Sequence, residues 1–271
     1  IKMTGGILII DFGSQYTQLI ARRIRDLRIF CEIHPFNKIS QELIKKFKPK
    51  GIILSGGPNS VLDKKSPTLN KIVFDINVPI LGICYGMQVL SKHNQGTIKK
   101  SLNREYGSAK IKILNNSKLI PKNWLNKSIQ VWMSHGDHIS RPPKNFKIIA
   151  KSNNNIISII ENEKKKIYGL QFHPEVHHTY LGQKILSNFI SKICKIDKNW
   201  IIEDFIKKKI KEIQLIVGKK NVVCGLSGGV DSSVTAYLLH QAIKKQLFCI
   251  FVDHGLLRKN ESQEVVNYYK K

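Results

Sequence analysis

Apolar residues fall along this chain in two rhythms. Ile7 to Ile10 is a short unbroken apolar run, and beyond Ser14 the apolar positions Tyr16, Leu19, Ile20, Ile24 and Leu27 recur at helical spacing. A strand followed by a helix is predicted, with Ser14 as the helix cap. Further unbroken runs at Gly51 to Leu54 and Val78 to Ile83 end in glycine-containing turns. Strands that are apolar at every position bury both faces, as in a parallel sheet, so an α/β layered domain is expected. From Lys110 the pattern breaks into shorter pieces: Lys110 to Leu114, Ile129 to Met133, Phe146 to Ala150, Ile156 to Ile160 and Ile167 to Phe172. Clusters of Asn, Pro and Lys separate them, which predicts mixed or antiparallel strands flanking a parallel core. Leu181 to Ile193 reads as a closing helix.

The polar stretch Lys195 to Asn199 is the expected linker, giving a first domain over residues 1–195 and a second over 196–271. Ile202, Phe205, Ile206, Ile210, Ile213 and Val217 then recur at helical spacing. A strand at Asn221 to Leu226, a helix from Ser233 to Ile243, a strand at Leu247 to Asp253 and a helix near Glu261 to Tyr269 follow. Two strand and helix pairs are too few for a doubly wound sheet. The chain also starts at Ile1, with its first Met at position 3. The expectation is a fragment of a longer product whose second domain is incomplete.

Composition narrows the class. With 271 residues and 42% hydrophobic content the chain can bury two modest cores. No apolar stretch reaches the roughly 20 residues needed to span a bilayer, and no secretory signal is visible at the N-terminus. A cytosolic protein without a membrane partner is expected. The five cysteines, Cys31, Cys84, Cys194, Cys224 and Cys249, have no C-x-x-C spacing, so neither a zinc site nor a disulfide framework is suggested. A net charge of +26 would ordinarily point to nucleic acid. The surplus is nearly all Lys, dispersed among Ile and Asn as in an AT-rich coding sequence, so no nucleic-acid partner is expected. Tracts such as Lys164 to Lys166 read as solvated faces.

Candidate chemistry lies in two motifs. Gly82-Ile83-Cys84-Tyr85-Gly86 places a cysteine at the end of a buried strand and the start of a helix, with glycines two residues to either side. That is the layout of a nucleophile elbow, where the helix terminus favours a thiolate able to attack an amide carbonyl. A buried structural cysteine has the same local signature. His173-Pro174-Glu175 shifts the balance: on extended chain, residues two apart share a face, giving a base beside an orienting carboxylate. The N–H of Tyr85 and a glycine of Ser55-Gly56-Gly57-Pro58 are candidate oxyanion donors.

Together with Asp11-Phe12-Gly13-Ser14-Gln15-Tyr16 and Trp132-Met133-Ser134-His135-Gly136-Asp137, these segments resemble the class I glutamine amidotransferases, and among them the GMP synthase family. The resemblance implies a flavodoxin-like α/β domain with Cys84, His173 and Glu175 as the triad and Gly57 and Tyr85 in the oxyanion hole. It further implies that Gln88 and the loop of Ser134, His135, Gly136 and Asp137 hold glutamine. His135 and His138 lack a third ligand at suitable spacing, so no metal is expected there.

The second motif is Ser227-Gly228-Gly229-Val230-Asp231-Ser232-Ser233, which follows a strand and opens a helix. Backbone N–H groups and hydroxyls converge there on an anion. The Gly-Lys-Ser/Thr ending of a Walker A loop is missing. The loop resembles that of ATP pyrophosphatases of the adenine-nucleotide alpha-hydrolase-like fold, which implies ATP as a substrate and Asp231 as a Mg²⁺ ligand. Phe251 to Arg258 resembles the corresponding segment of the GMP synthase family, with His254 where many members have Asn. The combined resemblance implies glutamine, ATP and XMP as substrates, ammonia transfer to an adenylated purine carbon, no organic cofactor, and a homodimer for the full-length family member. A chain lacking most of the XMP-binding region would not complete that reaction alone. A glutaminase-only or non-catalytic remnant and a PP-loop tRNA-modifying protein are the alternatives.

Overall fold

Strand geometry accounts for the unbroken apolar runs. The computed structural model of the chain describes residues 5–198, 200–253, 255 and 257–269, with backbone alone at residues 102 and 103. In β1 (Ile7–Asp11), Ile7 and Ile9 enter one core while Leu8 and Ile10 enter another, because successive strand residues point to opposite faces. Both faces are covered, so no position between them can be polar.

The chain divides into two compact units, Ile1–Trp200 and Ile201–Lys271. After β1 the first unit continues through α1 (Thr17–Asp26), β2 (Cys31–Pro35), α2 (Gln41–Phe47), β3 (Gly51–Leu54), α3 (Ile72–Asp75), β4 (Ile80–Ile83) and α4 (Tyr85–His93). It then runs β5 (Thr97–Ile113), β6 (Ser128–Arg141), β7 (Lys147–Ser152), β8 (Ile157–Asn162), β9 (Ile167–Leu170) and α5 (Gly182–Asn188). A single π-helical turn, Phe189–Ile193, extends α5.

Among the described residues the strands form one nine-stranded sheet in the order β2-β1-β3-β4-β9-β8-β7-β5-β6. β2, β1, β3, β4 and β9 are parallel, and the remaining pairings are antiparallel. Ile20 and Ile24 of α1 pack on one sheet face with Ile185 and Leu186 of α5, while Ile44 of α2 and Met87 and Leu90 of α4 pack on the other. Each such fully buried side chain contributes roughly 1.5–3 kcal/mol of hydrophobic free energy. The register pairs Leu54 with Gly82 and Ile83 with Leu170. The segments that follow β3, β4 and β9 therefore emerge side by side at the carboxyl edge of the sheet, where α/β folds bind ligands.

Several expected elements are corrected. Ser14 does not cap α1; its hydroxyl accepts from the Tyr16 N–H at 3.1 Å, forming a turn one step ahead of the helix. The strands expected at Lys110 to Leu114 and Ile129 to Met133 are parts of the longer β5 and β6. Their polar halves pair with each other in a two-stranded ribbon, which apolar patterning does not register. The segment Ser134 to Asp137, expected as a loop, therefore lies within β6.

In the second unit α6 (Ile202–Val217), β10 (Val222–Leu226), α7 (Val230–Ile243), β11 (Leu247–Phe251) and α8 (Glu261–Tyr269) follow in order. β10 and β11 pair in parallel around a small core of Cys224, Leu226 and Ala236. α7 starts at Val230, so the end of the glycine-serine segment is its first turn. Asn199 of the expected linker and His254 lie outside the described residues. Among the described residues no helix is long and apolar enough to cross a membrane.

Candidate active site

Cys84 occupies the one-residue junction between β4 and α4, with φ 50° and ψ −108°. Non-glycine residues rarely adopt positive φ, and such strain persists only where the surroundings enforce it. Here they do. The Cys84 N–H donates to Leu170 O at 2.7 Å and the Gly86 N–H to Ser55 O at 3.0 Å, tying the turn to both neighbouring strands. A Cβ on Gly86 would meet Leu54 O at 2.4 Å, so only glycine lets α4 start this close to β3. Cys84 is 4% exposed, with Sγ 3.3 Å from the Ser134 carbonyl oxygen.

His173 and Glu175 follow β9 in a turn that takes in Pro174 and Glu175, not on the extended chain expected from the sequence. The His173 N–H donates to Trp132 O at 3.0 Å, and Thr179 Oγ1 donates to His173 O at 2.6 Å. Its Nδ1 lies 2.7 Å from Glu175 Oε1, and the carboxylate is fully buried. The side chains of His173 and Cys84 meet beside Gly56, where an added Cβ would lie 3.0 Å from His173 Cε1 and 3.7 Å from Cys84 Cβ. Tyr16 packs edge-on against the His173 ring, with centroids 5.0 Å apart. Burial pulls the His173 pKa down, but the Glu175 charge, the neighbouring Cys84 and the hydrogen bond to Glu175 outweigh it and push the value up to about 10. Thiol, imidazole and carboxylate thus lie in series, the arrangement that a nucleophile, its base and an orienting group require. Two other thiols are electrostatically unsuited to attack: burial raises Cys31 to about 11 and pushes Cys194 up as well.

Cys84 opens into a cleft of about 480 Å³, lined by Gly57, Pro58, Ser60, Tyr85, Gln88, Arg104, Tyr106 and residues 134–137, among others. Among the described residues the backbone N–H groups of Gly57 and Tyr85 donate no hydrogen bond. Gln88 Nε2 donates to Asp137 O at 2.9 Å, so α4 holds β6 against the cleft. The Ser60 hydroxyl donates to Asp137 Oδ2 across the opening.

The sequence-level reading of His135 needs refinement. Its ring is buried, with Nε2 at 3.1 Å from Glu105 Oε2, while the residue also lines the cleft. Glu105 also accepts from Ser152 Oγ at 2.7 Å and Asn154 Nδ2 at 2.9 Å. Burial alone would raise the Glu105 pKa; the hydrogen bonds from His135, Ser152 and Asn154 win and lower it. Ser60, Glu105 and Arg104 were missed in the sequence because each is an ordinary polar residue in a polar stretch. The residues around them form no motif that singles them out.

In the second unit, Ser227 to Gly229 bridge β10 and α7 in a self-bonded turn. The Ser227 N–H and Oγ both approach Ser232 Oγ, at 3.2 and 3.1 Å, and the hydroxyls of Ser232 and Ser233 donate to Gly229 O at 3.0 and 2.8 Å. Gly228 has φ 76°, a conformation open to glycine. Asp231 is exposed in the first turn of α7, beside these hydroxyls. The Asp253 carboxylate accepts from the Gly255 N–H at 2.9 Å.

Residues 8–193 match the family model described as glutamine amidotransferase class-I. The chain belongs to that family. Residues 200–271 beyond the amidotransferase domain match the model described as NAD synthase. A glutamine-hydrolyzing GMP synthase of Brachyspira hyodysenteriae is 52% identical over 264 residues, covering 97% of this chain and 51% of that protein. The enzyme of the same description from Clostridium kluyveri is 48% identical over 265 residues, covering 98% and 51%. This amidotransferase chain thus spans about half the length of the curated relatives it matches. Among solved structures, a protein from Thermoplasma acidophilum described as a candidate GMP synthase subunit matches with TM-score 0.60 at 29% identity, covering 77% of this chain and 99% of that one. A Thermotoga maritima glutamine amidotransferase shares the fold with TM-score 0.52 at 17% identity, covering 90% and 99%.

Proposed function

We propose that this chain carries the glutaminase of a glutamine-hydrolysing GMP synthase. Cys84 is the nucleophile, His173 the base and acid, and Glu175 the carboxylate that orients His173. The observation that carries this reading is the buried series from Cys84 through His173 to Glu175 at the wall of a cleft, with two undonated backbone N–H groups beside it.

In the proposed mechanism His173, kept protonated by its raised pKa, already holds the proton of Cys84 when Sγ attacks the side-chain carbonyl carbon of glutamine. The resulting oxyanion takes hydrogen bonds from the Gly57 and Tyr85 N–H groups. As the C–N bond breaks, His173 returns the proton to departing ammonia, leaving a γ-glutamyl thioester. Water attacks that thioester, His173 accepts its proton and returns it to the thiolate, and glutamate leaves. Gln88, Ser134, Gly136 and Asp137 hold the substrate from the cleft, and His135 supports them from behind.

The segment Ser227 to Ser233 is the proposed pyrophosphate cradle of an ATP site: Ser227, Gly228, Gly229 and Val230 contribute backbone, and Ser232 and Ser233 hydroxyls. The N-terminus of the 14-residue helix α7 supports this, since unpaired N–H groups there favour anions. The donors are all oxygen, which suits Mg²⁺, and Asp231 would help to hold it. Bound Mg²⁺ would neutralise phosphate charge. In the whole enzyme, ATP adenylates the C2 oxygen of XMP with loss of pyrophosphate, and ammonia displaces AMP to give GMP. A homodimeric whole protein and a cytosolic location belong to the same proposal.

Glutamine labelled with ¹⁵N in its amide tests both halves. The chain is expected to release glutamate and labelled ammonia, with release abolished in Cys84→Ala, and the whole parent protein to place the label in guanylate. Release that survives Cys84→Ala overturns the site, and unlabelled guanylate overturns the pathway between the sites. No glutamate release from the chain would favour the non-catalytic remnant.

A further inference from the structure

The ribbon formed by β5 and β6 carries an irregularity beside the cleft. Its register shifts between Lys100, opposite Asp137, and Glu105, opposite His135, so the segment from Ser101 to Arg104 bows out across from Gly136. Extra residues in one strand re-aim the side chains that follow. Glu105 points inward and is pinned by His135, Ser152 and Asn154. Arg104 and Tyr106, its neighbours, therefore face the other way. They reach over the cleft: a Cβ built on Gly136 would lie 3.8 Å from Arg104 Nε and 3.7 Å from Tyr106 OH. Arg104 and Cys84 line the same opening. Among the described residues the Arg104 guanidinium takes no hydrogen bond or ion pair, although Glu105 is its chain neighbour and Asp137 lines the same cleft. Asp137 is engaged by Ser60.

We infer that Arg104 is the residue that selects the α-carboxylate of the amino-acid substrate, held in place by the Glu105 anchor behind it. The inference rests on the glutaminase reading and deepens it. A glutamine whose amide carbon sits at Cys84 carries its carboxylate and ammonium two methylenes and a Cα away, further along the cleft. The planar guanidinium offers a two-pronged match to a carboxylate that a lysine cannot reproduce. Asp137, of opposite charge on the facing strand, suits the ammonium. Lys100 also lines the cleft, but its flexible, strongly hydrated ammonium is the weaker carboxylate ligand.

The experiment compares L-glutamine with L-glutaminamide, in which the α-carboxylate is an uncharged amide, on the full chain and on Arg104→Met, Arg104→Lys and Lys100→Met. Glutamate or product release gives KM and kcat; protection of Cys84 from iodoacetamide gives binding without turnover. The wild-type chain should favour glutamine by about 10- to 100-fold, the range of a charge-assisted hydrogen bond. Arg104→Met should raise the glutamine KM by a similar factor, leave kcat nearly unchanged and erase the preference over glutaminamide. Arg104→Lys should recover part of it. An unchanged KM and unchanged protection in Arg104→Met overturn the inference, as does a fall in kcat at constant KM or a larger effect from Lys100→Met. If glutamine protects Cys84 selectively but no variant or wild type releases glutamate, the glutaminase reading fails while the assignment of Arg104 stands.

Discussion

Gly86→Ala adds one methyl group at the point where α4 leaves the sheet. That Cβ would lie 2.4 Å from the Leu54 carbonyl oxygen and 2.6 Å from Leu54 Cβ, whereas ordinary contact begins near 3.4 Å. Both obstacles are fixed to the backbone of β3, so no side-chain rotation relieves the overlap, and α4 must retreat by about 1 Å. Cys84 and the Tyr85 N–H ride on that helix start, while His173 hangs from β9 and stays behind. Misplacing a reacting group by about 1 Å costs on the order of 10²-fold in rate, so kcat for glutamate release should fall by about that factor. Overpacking costs about 1–3 kcal/mol and the better helix propensity of Ala returns roughly 1 kcal/mol, so the variant should stay folded. Its Tm should drop by roughly 2–8 °C. Turnover assays and thermal melts on purified protein measure both, with Gly225→Ala as a control because a Cβ there meets nothing within 4 Å. Wild-type turnover in Gly86→Ala would refute the idea that the tight β4-α4 junction positions Cys84 for the proposed reaction.

Other perturbations separate the electrostatic parts of the site. Glu175→Gln keeps the shape but removes the charge that raises the His173 pKa from 6.5 to about 10. A raised folded-state pKa stabilises fully below 6.5 and loses that contribution as pH climbs through about 10. The stability gap between wild type and Glu175→Gln, from chemical denaturation, should therefore be wide near pH 6 and close above pH 10; a constant gap contradicts it. Glutamate release by the same variant should fall by about 10²-fold or more. Glu105→Ala strands the buried His135 and Ser152, removes the acceptor of the exposed Asn154, and should destabilise by about 3–5 kcal/mol at neutral pH. Because the Glu105 pKa is depressed, its contribution is present above 4.5 and fades as pH falls below that value, so the difference in urea midpoint between wild type and variant should shrink in acid.

Legibility in the sequence followed the source of each signal. β1, β3 and β4 were readable because their burial on both faces demands apolar residues at every position, whereas β9, expected among the flanking pieces, joins the parallel core beside β4. Cys84, His173 and the Ser227 to Ser233 segment were readable because close backbone approach and unpaired N–H groups need glycines and hydroxyls at set spacings. The polar halves of β5 and β6 were not: a ribbon facing a cleft alternates polar side chains on both sides, and its pairing partner lies about 30 residues away in sequence, as for Glu105 and His135.

The amino-acid order alone therefore determined the layered α/β core, the placement of a thiol at a strand-to-helix junction and the presence of a second strand-to-helix turn rich in glycine and serine, since each is a local demand on residue size or backbone freedom. Only the folded sheet decided that β3, β4 and β9 stand adjacent, which is what brings Gly57, Cys84 and His173 to one edge. The same folding turned His135 inward to Glu105 and Arg104 outward to the cleft. Those choices depend on contacts between residues far apart along the chain, and the free energy of such contacts is set by burial and register rather than by neighbours in sequence.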